Sequence, residues 1–159
     1  MFAQLDTKSV YSFMDSVVDL NTYVKRAKEL GYQSIGLMDR DNLYAAYHFA
    51  QLAIRNGLRP LIGTEANLFY EGRKIPFRLL AKNNQGYKNL IKLATELSSG
   101  QREFTYFSDY LNDIALILPS EDWEPGMSLG SEVFIGVRPE DAGKEFDYPV
   151  VPLHKIGRA

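Results

Sequence analysis

The sequence is poor in metal-binding and thiol side chains. Its 159 residues include no cysteine and only two histidines, His48 and His154. Without thiols the chain can form no disulfide, no thiolate zinc site and no cysteine nucleophile. Two histidines are too few for a metal cluster built mainly from imidazole nitrogens. We interpret His48, which has no partner at metal-ligand spacing, as a structural or surface residue. We interpret His154 as structural, with a ligand role near the end of the last predicted strand as its alternative.

The sequence also lacks a long apolar run. No stretch approaches the roughly 18–20 apolar residues that a membrane helix needs, and the first residues do not form a charged region followed by an apolar one. Hydrophobic residues nevertheless make up 45% of the chain, enough for a core without disulfides. We therefore expect one soluble, cytoplasmic domain over residues 1–159 with no membrane partner.

Charge is nearly balanced overall but is unevenly distributed. The formal net charge is -2, with 13 Lys and Arg against 9 Asp and Glu in residues 1–100, and 5 against 11 in residues 101–159. A near-neutral chain lacks the strongly basic character of an autonomous DNA-coating protein. The acidic segment 101–159 is interpreted as a differently solvated face, the alternative being that it docks on a basic partner.

Periodicity predicts an α/β protein. The predicted strands span residues 2–9, 34–38, 58–62, 114–118, 133–137 and 148–153. Helices are predicted from the Asp19 N-cap to Gly31, over 42–56 and over 84–98. Residues 66–70 and 73–81 flank Glu71-Gly72 and predict a β-hairpin. The loops 119–130 and 138–144 show no helical period, so the last strands are expected to be joined without full helices.

Charged side chains occur at the predicted ends of three strands. In parallel α/β folds, functional groups collect at the carboxyl ends of the strands. Asp39 and Glu65 follow two buried strands, while Lys8 and Arg40 come at matching ends. Buried carboxylates need compensation by a metal ion or by basic side chains. Asp41, which precedes a predicted helix, is interpreted as a helix cap.

Four segments resemble a known family. Residues 4–15, 27–32 with 35–39, 57–65 and 81–90 are similar, in this order, to the N-terminal polymerase and histidinol phosphatase (PHP) domain of bacterial DNA polymerase III alpha subunits of the DnaE type. The resemblance is strongest over 1–100 and weaker over the divergent, acidic residues 101–159. It implies a distorted β/α barrel similar to a TIM barrel, here reduced or incomplete and carrying a β-hairpin insertion.

The family's metal motifs are altered in this sequence. Where the family has His-any-His followed by Ser or Thr, this chain has Asp6 and Lys8 followed by Ser9. The Thr-Asp-His motif corresponds to residues 38–40, so Asp39 is retained and Arg40 replaces histidine. The Gly-any-Glu motif is kept at residues 63–65. A later metal-binding histidine would fall near Gly157, with His154 slightly upstream.

These replacements predict a degenerate site. Ammonium and guanidinium groups present hydrogen-bond donors where a metal ion needs lone pairs. We therefore expect no catalytic residue, no metal and no cofactor in this chain. Instead we expect an ion-pair network of five side chains: Asp6, Lys8, Asp39, Arg40 and Glu65.

The resemblance implies that the parent protein is a DNA-directed DNA polymerase, a nucleotidyltransferase that uses Mg²⁺. The chain is too short for that chemistry, so we expect an inactive scaffold that contacts the polymerase body, with DNA bound through the parent and other replisome subunits as further partners. One alternative is a PHP-type phosphoesterase or 3'-5' exonuclease with weak Mg²⁺ or Mn²⁺ on Asp6, Asp39 and Glu65. Another is a DNA-binding module that uses the basic residues 1–100.

Aromatic residues after the first predicted strand and in the second predicted helix allow two interpretations. They could stack on nucleic acid bases, or they could pack in the core. Because their neighbours in the predicted elements must bury apolar surface, we favour core packing. The residues concerned are Tyr11, Phe13, Tyr44, Tyr47 and Phe49.

Overall fold

A computed structural model of the chain describes residues 3–5, 7–9, 19–130, 132–141 and 143–153. The strands are β1 (Ala3–Gln4), β2 (Ser34–Arg40), β3 (Arg59–Tyr70), β4 (Arg73–Ala81), β5 (Ile114–Pro119), β6 (Val133–Val137) and β7 (Val150–Pro152). The helices are α1 (Leu20–Glu29), α2 (Ala46–Arg55), α3 (Asn84–Ser98) and the single turn α4 (Phe104–Phe107).

The strands form one seven-stranded sheet whose spatial order is the chain order, β1 to β7. All neighbouring strands are parallel except at β4, which runs antiparallel to both β3 and β5. A sheet of parallel strands added one after another, with intervening helices, is the winding of a TIM-like barrel. The predicted fold class, an α/β protein with an incomplete TIM-like barrel and a β-hairpin insertion, is confirmed.

The long strand β3 differs from the prediction of two separate strands over 58–62 and 66–70. Its first part pairs with β2 and its second part continues into the hairpin with β4. Because hydrogen bonds to one neighbour or the other are available along its whole length, nothing interrupts the strand at Gly63. Glu65 therefore lies within a strand instead of following one. The hairpin is confirmed, with positive φ at both Glu71 and Gly72.

Local sequence signals explain the helix starts. Asp19 caps α1, its Oδ2 accepting a hydrogen bond from the Thr22 N–H at 3.0 Å, and Asn83 caps α3 through Gly86 N–H at 2.9 Å. Asp41 does not cap α2, since the N-cap is Ala45 and no side chain bonds there. The Asp41 interpretation was wrong because α2 begins one turn later than predicted.

The core lies on the helix-covered face of the sheet in two clusters. The first joins α1, α2 and β2, and Tyr23 of α1 stacks on Phe49 of α2 with ring centroids 6.1 Å apart. The second joins α3 to strands β3 to β6. The connections after β5 and β6 contain, in their described residues, only single 3-10 turns (Ser120–Asp122 and Pro139–Asp141), as predicted.

Two of the aromatic residues do not pack in the core. Phe49 is fully buried, as expected, whereas Tyr44 and Tyr47 are exposed. The core interpretation was wrong for these two because the buried side of α2 is formed by Ala46, Phe49 and Ala53. Tyr11 and Phe13 lie outside the described residues. Within the described part of the chain, no helix is both long and apolar enough to cross a membrane.

Candidate functional site

A row of charged residues crosses the face of the sheet opposite the helices. In the register of β2, β3 and β4, Arg40 is beside Glu65, and Glu65 is beside Arg78. Side chains alternate between the two faces of a strand. Because Ala66 and Phe77, next to Glu65 and Arg78, belong to the core on the helix-covered side, this row points to the inner side of the curved β/α sheet.

Glu65 is the centre of this row. Its carboxylate is 5% exposed, and Oε2 lies 2.9 Å from Lys8 Nζ while Oε1 lies 3.1 Å from Arg40 Nε. Arg78 Nη2 is 3.7 Å from Oε2, and its side chain is also buried. Three cations thus surround one buried carboxylate, and both of its oxygens are engaged by nitrogen donors. Such charge-assisted contacts are strong when desolvated.

The segment after β1 delivers Lys8 to this row. β1 pairs with the start of β2, and farther along the Met38 N–H donates to the Thr7 carbonyl at 2.7 Å. This bond holds residues 7–9 beside the end of β2, where Arg40 lies. Lys8 and Arg40, predicted from sequence to lie close together, therefore meet on Glu65. Asp6 lies outside the described residues.

Asp39 has a different environment. Its carboxylate, in a residue only 1% exposed, accepts hydrogen bonds from both the backbone N–H and the hydroxyl of Ser9, each at 2.6 Å. The Thr64 hydroxyl donates to the Asp39 carbonyl at 2.8 Å. Strand alternation directs Asp39 and Arg40 to opposite faces. The described contacts of Asp39 therefore fasten the segment after β1 to the end of β2.

Asp41 links the site to the segment before α4. It has a positive φ of 55°, its N–H donates to the Glu65 carbonyl at 2.9 Å, and its carboxylate lies 2.8 Å from Arg102 Nη1. The same carboxylate accepts a bond from Asn67 N–H at 3.3 Å. Asp41 thereby fixes the carboxyl end of β2 against the middle of β3.

Sequence reasoning missed Arg78 and Arg102. Arg78 could have been found, because a two-residue turn at Glu71-Gly72 pairs Tyr70 with Arg73 and hence Glu65 with Arg78. Arg102 follows a helix and carried no such signal. Arg78 also influences Asp122. Burial and the nearby charge of Glu121 raise the pKa of Asp122, and the positive charges of Arg73 and Arg78 partly oppose this rise.

The histidines lie away from this arrangement or outside the described part. His48 is exposed on α2, and residues 154–159, which include His154 and Gly157, are not described. Among the described residues, no group of three or more His, Cys, Asp or Glu side chains is arranged to hold a metal ion.

Comparison with known proteins identifies the family. The PHP domain model matches residues 4–124. A DNA polymerase III subunit alpha from Streptococcus pyogenes serotype M1 is 49% identical over 137 residues, which cover 86% of this chain and 13% of that protein. The subunit of the same name from Bacillus subtilis is 33% identical over 126 residues, or 76% of this chain and 11% of its own length.

The chain therefore spans about an eighth of the length of these relatives. Among solved structures, a candidate metal-dependent phosphoesterase from Bifidobacterium adolescentis has a TM-score of 0.49 and 18% identity, covering 59% of this chain and 32% of its own. The family match and the alpha subunit relatives agree with each other over most of the chain. The chain belongs to the PHP domain family, in the form found in DNA polymerase III alpha subunits.

Proposed function

We propose that this chain is the metal-free PHP domain of a replicative DNA polymerase III alpha subunit, and that it acts as a scaffold for the polymerase body. The observation that carries the proposal is the pairing of Glu65 with Lys8 and Arg40 at 2.9 and 3.1 Å. Glu65 corresponds to the retained glutamate of the family's metal motif, and both of its oxygens face cationic donors.

The donor set does not suit a metal ion. A divalent cation needs lone pairs from carboxylate oxygens or neutral imidazoles, whereas Lys8, Arg40 and Arg78 offer only N–H donors and like charge. The second retained carboxylate, on Asp39, is engaged by Ser9. Internal cations would thus supply the charge compensation that metal ions supply elsewhere in the family.

In this proposal the domain contributes structure and the rest of the subunit contributes chemistry. Glu65 and the three cations around it, Lys8, Arg40 and Arg78, form what we call the Glu65 centre, which holds neighbouring strands of the sheet together. A sheet held in this way presents fixed outer surfaces, which suits a domain that supports neighbouring domains. Nucleotide addition with Mg²⁺, DNA binding by the polymerase and contacts with other replisome subunits would belong to the parent protein. Alpha subunits are named as DNA polymerases, and 86% of this chain aligns with one of them.

Metal content tests the proposal. The protein purified without chelators should contain far less than one equivalent of Mn, Zn or Mg by elemental analysis, and EDTA or added Mn²⁺ should leave its melting temperature unchanged. A variant that restores the family's histidines, Asp6→His with Lys8→His and Arg40→His, serves as the positive control and should gain Mn²⁺- or Zn²⁺-dependent stability.

The competing function is a phosphoesterase or 3'-5' exonuclease with a reduced metal site. It predicts stoichiometric metal in the unmodified protein, together with Mn²⁺-dependent turnover of a phosphoester or of single-stranded DNA. Loss of that turnover in Glu65→Gln and on chelation would replace the scaffold proposal.

A further inference from the structure

Exposed aromatic side chains lie on α2 and just before it. Tyr44, just before the helix, is 76% exposed, and Tyr47 in its first turn is 70% exposed. Ile54 is also exposed and is seven residues after Tyr47, on the same side of the helix. Large apolar side chains that cluster at high exposure indicate an interaction surface.

The Tyr47 ring is held in place on this surface. Gln51, one helical turn later, donates from Nε2 to the Tyr47 hydroxyl at 2.7 Å. At Tyr44 the backbone is fixed instead: its N–H donates to Asn42 Oδ1 at 3.1 Å, and Asn42 Nδ2 donates to the Arg40 carbonyl at 2.8 Å. A rotamer or backbone already fixed before binding loses less conformational entropy when a ligand stacks on the ring.

The stretch of chain that forms this surface carries charged side chains of one sign. No Asp or Glu occurs between Asp41 and Glu65, in a chain that has 20 acidic residues. The same stretch carries Arg55 at the end of α2 and Arg59 at the start of β3, both exposed, along with exposed His48. An anionic ligand lying along α2 would therefore meet cations and no carboxylate from this stretch.

We propose that the α2 surface, formed by Tyr44, Tyr47 and Arg55, binds single-stranded DNA. Exposed aromatic rings next to cations bind single strands without sequence preference, because every base has a face that can stack and every phosphate is attracted. Tyr47 and Arg55 are eight residues apart, roughly 12 Å along the helix, so one short strand can contact both. The choice of DNA over RNA rests on the proposed function. The surface itself is independent of that function, because Tyr44, Tyr47 and Arg55 are not among the side chains that contact Glu65.

A protein ligand fits these observations less well. A protein partner would have to be acidic around an apolar centre, and Ile54 is the one large aliphatic side chain that residues 44–59, all described, expose. Two tyrosine rings and a carboxylate-free cationic stretch are instead the two components that single-strand binding uses together.

Fluorescence anisotropy tests the proposal. It follows the binding of a fluorescein-labelled oligo-dT of 12 nucleotides at several salt concentrations. Tyr47→Ala should weaken binding roughly tenfold, as expected for loss of one stacked base, while Tyr47→Phe, which keeps the ring, should bind within about twofold of the unmodified protein. Arg55→Gln should reduce the magnitude of the slope of log K against log salt by about 0.7.

Matched controls lie on other helices. Tyr106→Ala removes an exposed tyrosine from α4, and Lys92→Gln removes an exposed cation from α3; both should bind oligo-dT like the unmodified protein.

Absence of salt-dependent binding, or equal loss in the controls and in Tyr47→Ala, would overturn the proposal. Tighter binding of oligo-rU than of oligo-dT would overturn DNA as the ligand, and self-association abolished by Tyr47→Ala without oligonucleotide binding would assign the surface to protein contact. Metal content, measured separately, decides the scaffold proposal independently of these results.

Discussion

Lys8 Nζ lies 2.9 Å from Glu65 Oε2, joining a residue that follows the first strand to one in the middle of the third. Both side chains are largely buried, and the same carboxylate also contacts Arg40 and Arg78. A buried charge that loses its partners destabilises a fold far more than an exposed one does. This centre therefore connects the segment after β1 with β2, β3 and β4.

Replacing Glu65 with the neutral isostere Gln should lower the free energy of unfolding by about 3–5 kcal/mol, because the buried Arg78 and the largely buried Lys8 would lose the counter-charge that they share with the more exposed Arg40. Urea denaturation followed by circular dichroism measures the change. Glu29→Gln is the matched control, since Glu29 forms an exposed pair with Arg26 and should cost less than about 1 kcal/mol. Equal effects of the two substitutions would show that the Glu65 contacts contribute little.

Asp39 and Ser9 should be energetically coupled. Two hydrogen bonds of 2.6 Å join them, and bonds to a charged acceptor contribute about 1.5–3 kcal/mol. Ser9→Ala keeps the backbone bond and should destabilise the protein less than Asp39→Asn. A double-mutant cycle with both changes should give a coupling energy above about 0.5 kcal/mol; additive effects would contradict the described contact.

Gly63 should not tolerate a methyl group. A Cβ at this position would lie 2.5 Å from the backbone oxygen of Leu79 and 2.9 Å from Met38 Sδ. The sulfur can move, but the carbonyl belongs to the paired strand β4 and cannot move without breaking the ladder. Gly63→Ala should therefore reduce stability by about 1–3 kcal/mol, measured by chemical denaturation, although alanine normally suits a strand better than glycine. A neutral or stabilising result would refute this close approach.

The phenol of Tyr23 should make the protein sensitive to alkali. Burial raises the pKa of Tyr23 to about 12, and the neutral phenol donates a hydrogen bond to the Gly36 carbonyl at 3.1 Å. Since the folded pKa lies above the unfolded value of about 10, the stabilisation is complete below pH 10 and is lost as the pH rises toward 12. The total loss corresponds to about 3 kcal/mol.

Unfolding free energies measured by urea titration between pH 9 and pH 12 test this expectation. Tyr23→Phe has no ionisable group at this position, so its stability should decline less over that range. Tyr47→Phe, which changes an exposed tyrosine, is the control and should follow the unmodified protein. Identical pH profiles for Tyr23→Phe and the unmodified protein would contradict the prediction.

Much of the site was predictable because it depends on strand order and alternation. The strand-helix-strand pattern placed Lys8, Arg40 and Glu65 at one end of a parallel sheet, and the structure brings these three together. The two-residue hairpin turn also places Arg78 opposite Glu65. Arg102 could not be found in this way, because its contact with Asp41 crosses between elements that no local pattern aligns.

The sequence by itself determined the α/β fold, the hairpin, the family, the absence of thiols and the scarcity of imidazoles, because period, turn chemistry and composition are local properties. Only the tertiary structure decided which cations share Glu65, that Asp39 is bonded by Ser9, and that Tyr44 and Tyr47 are exposed while Phe49 is buried. Those outcomes depend on the register between strands and on the rotation of α2 against the sheet, which are set by packing the whole chain at once.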